Sequence, residues 1–191
     1  METLKELDRD LLIFLNSLHT PWLDPIMFWI TKTFFWLPLY LFLLYLIIIK
    51  YKKQSWIPLI GIALTILLAD QITSGLMKPY FERLRPSREP SLEGILHIVN
   101  NYKGGKFGFA SGHAANTFGT ATFFFLLLRK RYKWIIYLFV WALVMTYTRI
   151  YLGVHYPGDI LVGGTIGILC GWTGFKVQAY LDKRFNKIQA A

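Results

Sequence analysis

The chain contains a single cysteine, Cys170. No disulfide framework is possible, and the thiol reads as a packing residue inside an apolar segment. Charge is sparse and one-sided: 17% of residues are charged, with 21 basic against 11 acidic and a net of +10. The few carboxylates form no sequence cluster of the kind that holds Mg²⁺ or Zn²⁺. A basic excess raises the question of nucleic-acid binding. No separate basic domain or aromatic stacking surface accompanies it, so that class is set aside. The opening METLKELDRDLLIFLNSLHT does not read as a secretory leader, because charges of both signs precede a short apolar stretch with no small-residue cleavage site.

What the chain has in abundance is apolar sequence. Hydrophobic residues make up 54% and aromatics 17% of its 191 residues, and the mean hydropathy is +0.40. That length suits one domain over 1–191. The apolar residues fall in blocks, and segments 23–49, 56–77, 113–128 and 134–147 reach or approach the roughly 20 residues needed to cross about 30 Å of hydrocarbon. A fifth block runs over 160–175. The expected fold is an all-α polytopic membrane bundle of five spans, or six if the N-terminal segment inserts. Within residues 1–20, Leu4, Leu7, Leu11, Ile13, Phe14 and Leu18 share one helical side opposite Lys5, Glu6, Arg9 and Asp10. That pattern predicts an interfacial helix lying on the membrane.

Charge placement sets the orientation. Lys50, Lys52 and Lys53 follow the first span, Arg129, Lys130, Arg131 and Lys133 separate the third from the fourth, and Lys176, Lys183, Arg184 and Lys187 follow the fifth. With five spans these groups share one side, which the positive-inside rule makes cytoplasmic, so 176–191 is a cytoplasmic tail. The opposite face gathers the loop 78–112 and the turn between spans four and five. It carries Lys78, Arg83, Arg85, Arg88, Lys103, Lys106, Ser111, His113, Arg149, His155 and Asp159. Cations there run against the topological preference, which points to an outer-face anion site.

Three stretches of that face carry chemistry. In LMKPYFERLRPS, Pro79 and Pro86 stop a regular helix, so Lys78 and Arg85 turn back over the bundle mouth. Taken alone, Lys78 and Arg83 equally read as basic residues snorkelling at a helix end. In FASGHAAN, Ser111 is a good N-cap that leaves the N–H groups of Gly112 and His113 at the positive end of a helix, where anions bind readily. In YTRIYLGVHYPGDILVGG, Arg149 closes a span, Pro157 suits a first helical turn, and Asp159 lies close enough to orient His155. The Asp–His pair by itself equally reads as a loop pin.

Read together, two histidines, three cations, a capped helix start and a His-orienting aspartate are the equipment for phosphoryl transfer through a histidine. The chain resembles the type 2 phosphatidic acid phosphatase family, which shares its site with vanadium haloperoxidases and certain acid phosphatases. Lysine, six residues, Arg-Pro appears as Lys78 to Arg85-Pro86. Pro-Ser-Gly-His appears as Ala110-Ser111-Gly112-His113, and Ser-Arg, five residues, His, three residues, Asp appears as Thr148-Arg149, His155 and Asp159. Alanine stands for the motif proline and threonine for its serine; neither change removes a reacting atom.

The resemblance implies that His155 attacks phosphorus and that Asp159 holds its ring. It implies that His113 protonates the leaving group and then activates water. Lys78, Arg85, Arg149, the Ser111 hydroxyl and the Gly112 N–H would hold the nonbridging oxygens, with no metal and no cofactor. The implied substrates are a phospholipid or polyprenyl (pyro)phosphate in the bilayer, acted on at the periplasmic face of a bacterial inner membrane. Two alternatives stay open: phosphotransfer to a lipid or sugar acceptor, and a non-catalytic anion-binding or transport role. No sequence feature specifies an oligomeric state or ranks the lipid phosphates. Asp70, Ser74 and Lys78 follow four-residue spacing, so Asp70 reads either as support behind the cationic site, as Thr148 does, or as an interhelical hydrogen-bonding group. Residues 86–110 read as a membrane-lying lid or a loose connector.

Overall fold

The computed structural model of the chain describes residues 2–189; residues 1, 190 and 191, the extremes of the expected interfacial helix and tail, lie outside the described residues. Among the described residues the elements are helical. They are α1 (Glu2–Ser17), α2 (Leu23–Ile30), α3 (Leu37–Tyr51), α4 (Trp56–Asp70), α5 (Lys78–Phe81), α6 (Gly112–Leu128), α7 (Tyr137–Tyr151) and α8 (Pro157–Gln189). Four helical stretches are long and apolar enough to cross a membrane: Thr33–Gln54, Trp56–Phe81, Lys133–Tyr151 and Pro157–Phe185. The protein is therefore an integral membrane protein built as an all-α bundle.

The segment expected as one span over 23–49 is broken. Lys32 is extended between α2 and a short 3₁₀ turn, Thr33–Trp36, that leads into α3. Pro38 gives the reason, since a helix continued through it would place its ring against the carbonyl of Phe34. The break leaves Thr31 buried at the end of α2, where the site uses it. At the other end of the chain, the residues from Lys176 continue α8 without interruption.

The 17-residue helix α6 sits among α4, α7 and α8. Its inner half joins Leu43, Leu46 and Ile47 of α3 and Leu138, Trp141 and Met145 of α7 around Phe123, Phe124 and Leu127. On α8, Gly163, Gly167 and Gly171 recur every four residues, and a Cβ on any of them would strike the α6 backbone at Ser111, Ala115 or Gly119. Small residues at this spacing let two membrane helices approach until their backbones touch. Leu41, Phe42, Leu67, Leu143, Leu161, Leu169 and Trp172 remain exposed on the long helices, as the bilayer requires.

One end of the bundle is capped by α1 and by 86–110. Leu4, Leu7, Leu11 and Phe14 of α1, with Leu18 just after it, face away from the protein, while Leu12 and Asn16 are buried against it. Residues 86–110 contain three short 3₁₀ turns, with Leu92 packed against Leu12, Ile150 and Tyr156. They form an ordered cap packed on protein.

Candidate active site

The turn that carries His155 is built by helix-termination rules. After α7, Gly153 takes φ +65° and the amides of Val154 and His155 donate back to the Arg149 carbonyl at 3.0 and 3.3 Å. This left-handed glycine closes the helix and aims the next residues across its end. Pro157 then opens α8, and the Asp159 carboxylate reaches back to accept the Tyr156 amide at 3.1 Å. That is the reciprocal half of a capping box, so the same carboxylate terminates a helix and meets a histidine. His155 Nδ1 lies 3.3 Å from Asp159 Oδ2, and both side chains are buried. His155 also hydrogen-bonds the Gly108 backbone. A Cβ on Gly108 would sit 3.0 Å from Asp159 Oδ2 and 3.6 Å from His155 Nδ1, so glycine is needed for that approach. With Nδ1 engaged, Nε2 is the ring nitrogen left to act.

The helix start is as the sequence predicts. Ser111 caps α6, its hydroxyl accepting from Ala114 N at 3.4 Å, and its own amide donates to the Asp159 carbonyl at 3.0 Å. Lys78 borders this terminus: a Cβ on Gly112 would lie 3.7 Å from its Nζ. The ammonium is steadied by Ser74 Oγ at 2.9 Å. The peptide between Phe109 and Ala110 is cis, and Ala110 is fully buried.

Two buried arginines complete the cluster. Arg85 donates from Nε to the Phe107 carbonyl at 3.2 Å, and Arg149 donates from Nη1 to Thr31 Oγ1 at 2.7 Å and from Nη2 to the Tyr102 hydroxyl at 3.4 Å. Thr148 braces this contact, its hydroxyl donating to Thr31 at 2.9 Å. Arg85 Nη1 and Arg149 Nε are buried without a protein acceptor. Buried donors left unpaired are costly, so the cluster suits an anionic ligand that accepts from both. Burial and the adjacent Arg149 guanidinium lower Arg85 to about 10, and it stays charged at neutral pH. Burial, then Arg85, Arg149 and Lys78, hold His155 well below 6.5, leaving it neutral.

The structure brings together Lys78, Arg85, Ser111, Gly112, His113, Arg149, His155 and Asp159. Asp70 is exposed, yet its carboxylate lies close enough to act electrostatically on Lys78. A π-helical stretch, Gln71–Met77, follows Asp70, and Lys78 still meets Ser74 four residues before it. Sequence reasoning placed Arg83 on this face but missed its role as a bridge between Asp8 Oδ2 at 2.7 Å and Asp159 Oδ1 at 2.9 Å. It also missed Thr31 and Tyr102, whose polar ends meet Arg149 from segments remote in the chain. The only local hint was a second arginine two residues before Arg85.

Residues 58–183 match the PAP2 superfamily. The chain belongs to it. The matched region holds every member of the cluster from Lys78 to Asp159. A lipid A 4'-phosphatase of Bacteroides thetaiotaomicron is 41% identical over 97% of this chain and 83% of its own length. One of Porphyromonas gingivalis is 35% identical over 97% and 78%. Among solved structures, Aquifex aeolicus LpxE superposes with a TM-score of 0.70 at 28% identity, covering 89% of this PAP2 chain and 95% of that one.

Proposed function

We propose that the protein is a membrane lipid phosphatase that removes a terminal phosphate through a phosphohistidine, without a metal. The observation that carries this reading is the pair of buried guanidinium nitrogens without protein acceptors beside the His155–Asp159 pair. His155 Nε2 attacks phosphorus and the bond to the lipid oxygen breaks. His113 protonates that oxygen. His113 then takes a proton from water as the water oxygen attacks the phosphohistidine, and inorganic phosphate leaves. Lys78, Arg85, Arg149, the Ser111 hydroxyl and the Gly112 N–H hold the nonbridging oxygens, whose charge is spread in the transition state.

A lipid substrate is supported by an apolar cavity of about 410 Å³ between α3, α4, α6 and α7, lined by Tyr40, Leu43, Ile62, Phe124 and Met145, with His113 on its wall. The similarity to lipid A 4'-phosphatases favours a phosphorylated sugar lipid of the lipid A type. Lys52, Lys53, Arg129, Lys130 and Arg131 cluster at the bundle end away from the site, where Lys50 Nζ meets the Leu127 carbonyl. This favours a periplasmic active site in an inner membrane.

The test is phosphate release by purified protein from lipid A, phosphatidylglycerol phosphate, undecaprenyl pyrophosphate and phosphatidate in EDTA, beside His155→Ala. Release that is fastest from lipid A, persists in chelator and is lost in the variant is expected. Activity that vanishes with EDTA or survives in His155→Ala overturns the mechanism; preference for another lipid overturns the substrate assignment alone.

A further inference from the structure

His19, Asp24 and His97 form a second cluster at the outer end of the molecule, separate from the phosphate site. His19 follows α1, Asp24 lies in the first turn of α2, and His97 belongs to the cap over 86–110. His97 Nε2 is 2.9 Å from Asp24 Oδ2. The His19 and His97 rings stack with centroids 3.7 Å apart and planes 8° from parallel. One ligand-type atom from each residue lies within 4.8 Å of the other two. We propose that these three residues bind a divalent transition-metal ion, Zn²⁺ in the first instance, that fastens the cap to the N-terminal segment.

Two imidazole nitrogens and a carboxylate oxygen are a donor set that zinc takes, with bonds of about 2.0–2.2 Å. Tetrahedral ligation at that length separates ligand atoms by roughly 3.3 Å, so the His97–Asp24 pair opens slightly from 2.9 Å while His19 turns out of its stack on His97 and brings its nitrogen inward. His19 supplies the movement: it is exposed, in the short link between α1 and α2. The other two ligands are already held. Asp24 Oδ1 accepts the Tyr151 hydroxyl at 2.6 Å. The His97 amide donates to Asn16 Oδ1 at 2.8 Å, and its carbonyl accepts Asn16 Nδ2 at 3.1 Å. Such outer contacts orient ligands and are part of what makes a metal site. The exposure of His19 leaves the fourth position to water.

The position gives the ion a structural task. Tyr151 ends α7, and Gly153 begins the turn that carries His155. A Cβ on Gly153 would lie 3.6 Å from the His97 carbonyl, so the cap rests directly on this turn. An ion joining His97 to Asp24 and His19 would hold the cap against the nucleophile turn while staying outside the chemistry. Asp24 and His97 are 73 residues apart in the chain, which is why no ligand spacing shows in the sequence.

The experiment uses full-length protein in detergent, stripped with EDTA and then freed of chelator. Calorimetric titration with ZnCl₂ is expected to show one saturable equivalent and a Tm raised by several degrees. Co²⁺ should give d–d absorption in the visible. His19→Ala and His97→Gln should lose the equivalent, the Tm rise and the Co²⁺ bands. His19→Ala, at an exposed position, should keep the fold and phosphate release within about twofold of wild type, while His155→Ala should retain the zinc equivalent. Absence of saturable binding overturns the proposal. So does binding that survives in His19→Ala and His97→Gln, or that is lost in His155→Ala.

Discussion

Arg83 shows how one side chain ties the membrane surface to the nucleophile. Its guanidinium lies over the Tyr156 ring at 3.8 Å and binds Asp159 with one nitrogen and Asp8 of α1 with another. Asp8 also accepts the Gly158 amide at 2.7 Å, so α1, the segment 83–85 and the start of α8 share one charged joint. Removing the cation leaves the buried Asp159 carboxylate short of a donor and free to shift against His155. Arg83→Gln is expected to lower kcat about 10- to 100-fold, or about 1.4–2.7 kcal/mol, with KM nearly unchanged. An equal rise in KM with intact kcat would show that Arg83 binds substrate instead.

His155 also makes a pH prediction. In the folded protein its ring stays neutral well below 6.5, whereas the unfolded chain takes up a proton near 6.5. The unfolded state therefore binds more protons in that window, and stability is lost as pH falls from about 6.5 toward the folded value. Tm measured from pH 7.5 to 5 should fall on the acid side, and His155→Ala should flatten that slope. An unchanged slope in the variant would assign the acid sensitivity to other groups. For the same reason the acid limb of the rate profile should not begin at 6.5.

At the scale of elements, the decisive contact is α6 against α8. The spacing of Gly163, Gly167 and Gly171 is plain in the sequence, yet it does not reveal which helix they meet. The structure shows them against the backbone that begins with Ser111, so the stripe sets the distance between the start of α6 and Asp159. Gly167→Ala forces a Cβ onto the Ala115 carbonyl and should cost about 1–3 kcal/mol, seen as a lower Tm, with a fall in kcat as α6 is displaced. Gly164→Ala meets only the Phe118 ring, at 3.2 Å, which can turn, so its effect should be smaller. Equal effects would remove the distinction between backbone and side-chain contact. The π-helical stretch of α4 belongs to the same scale. Along it Lys78 meets Ser74 four residues back and feels the charge of Asp70, so the four-residue pattern survives the wider turns.

For the whole molecule, the question is how a lipid would reach a site buried at one end of the bundle. The cavity with His113 on its wall runs between α3 and α4, and Ile66 lines it. Ile66→Trp should raise KM for a long-chain lipid phosphate roughly tenfold while leaving kcat/KM for a short water-soluble phosphate ester within about twofold. A similar loss on both substrates would mean that the cavity serves packing alone.

The sequence alone determined the solvent, the helical class and the candidate groups of the site. Apolar blocks of bilayer length, basic clusters on one side, and three ordered motifs are local patterns, and local patterns survive being read along a line. Ser111 as a cap, Pro157 at a helix start and Asp159 four residues after His155 were legible for that reason. Only the tertiary structure decided which remote groups meet them: Asp8 through Arg83, Thr31 and Tyr102 on Arg149, and His19 and Asp24 on His97. Those contacts join segments separated by tens of residues, and their energies depend on burial and on distances of about 3 Å, quantities that arise only when the helices close around α6.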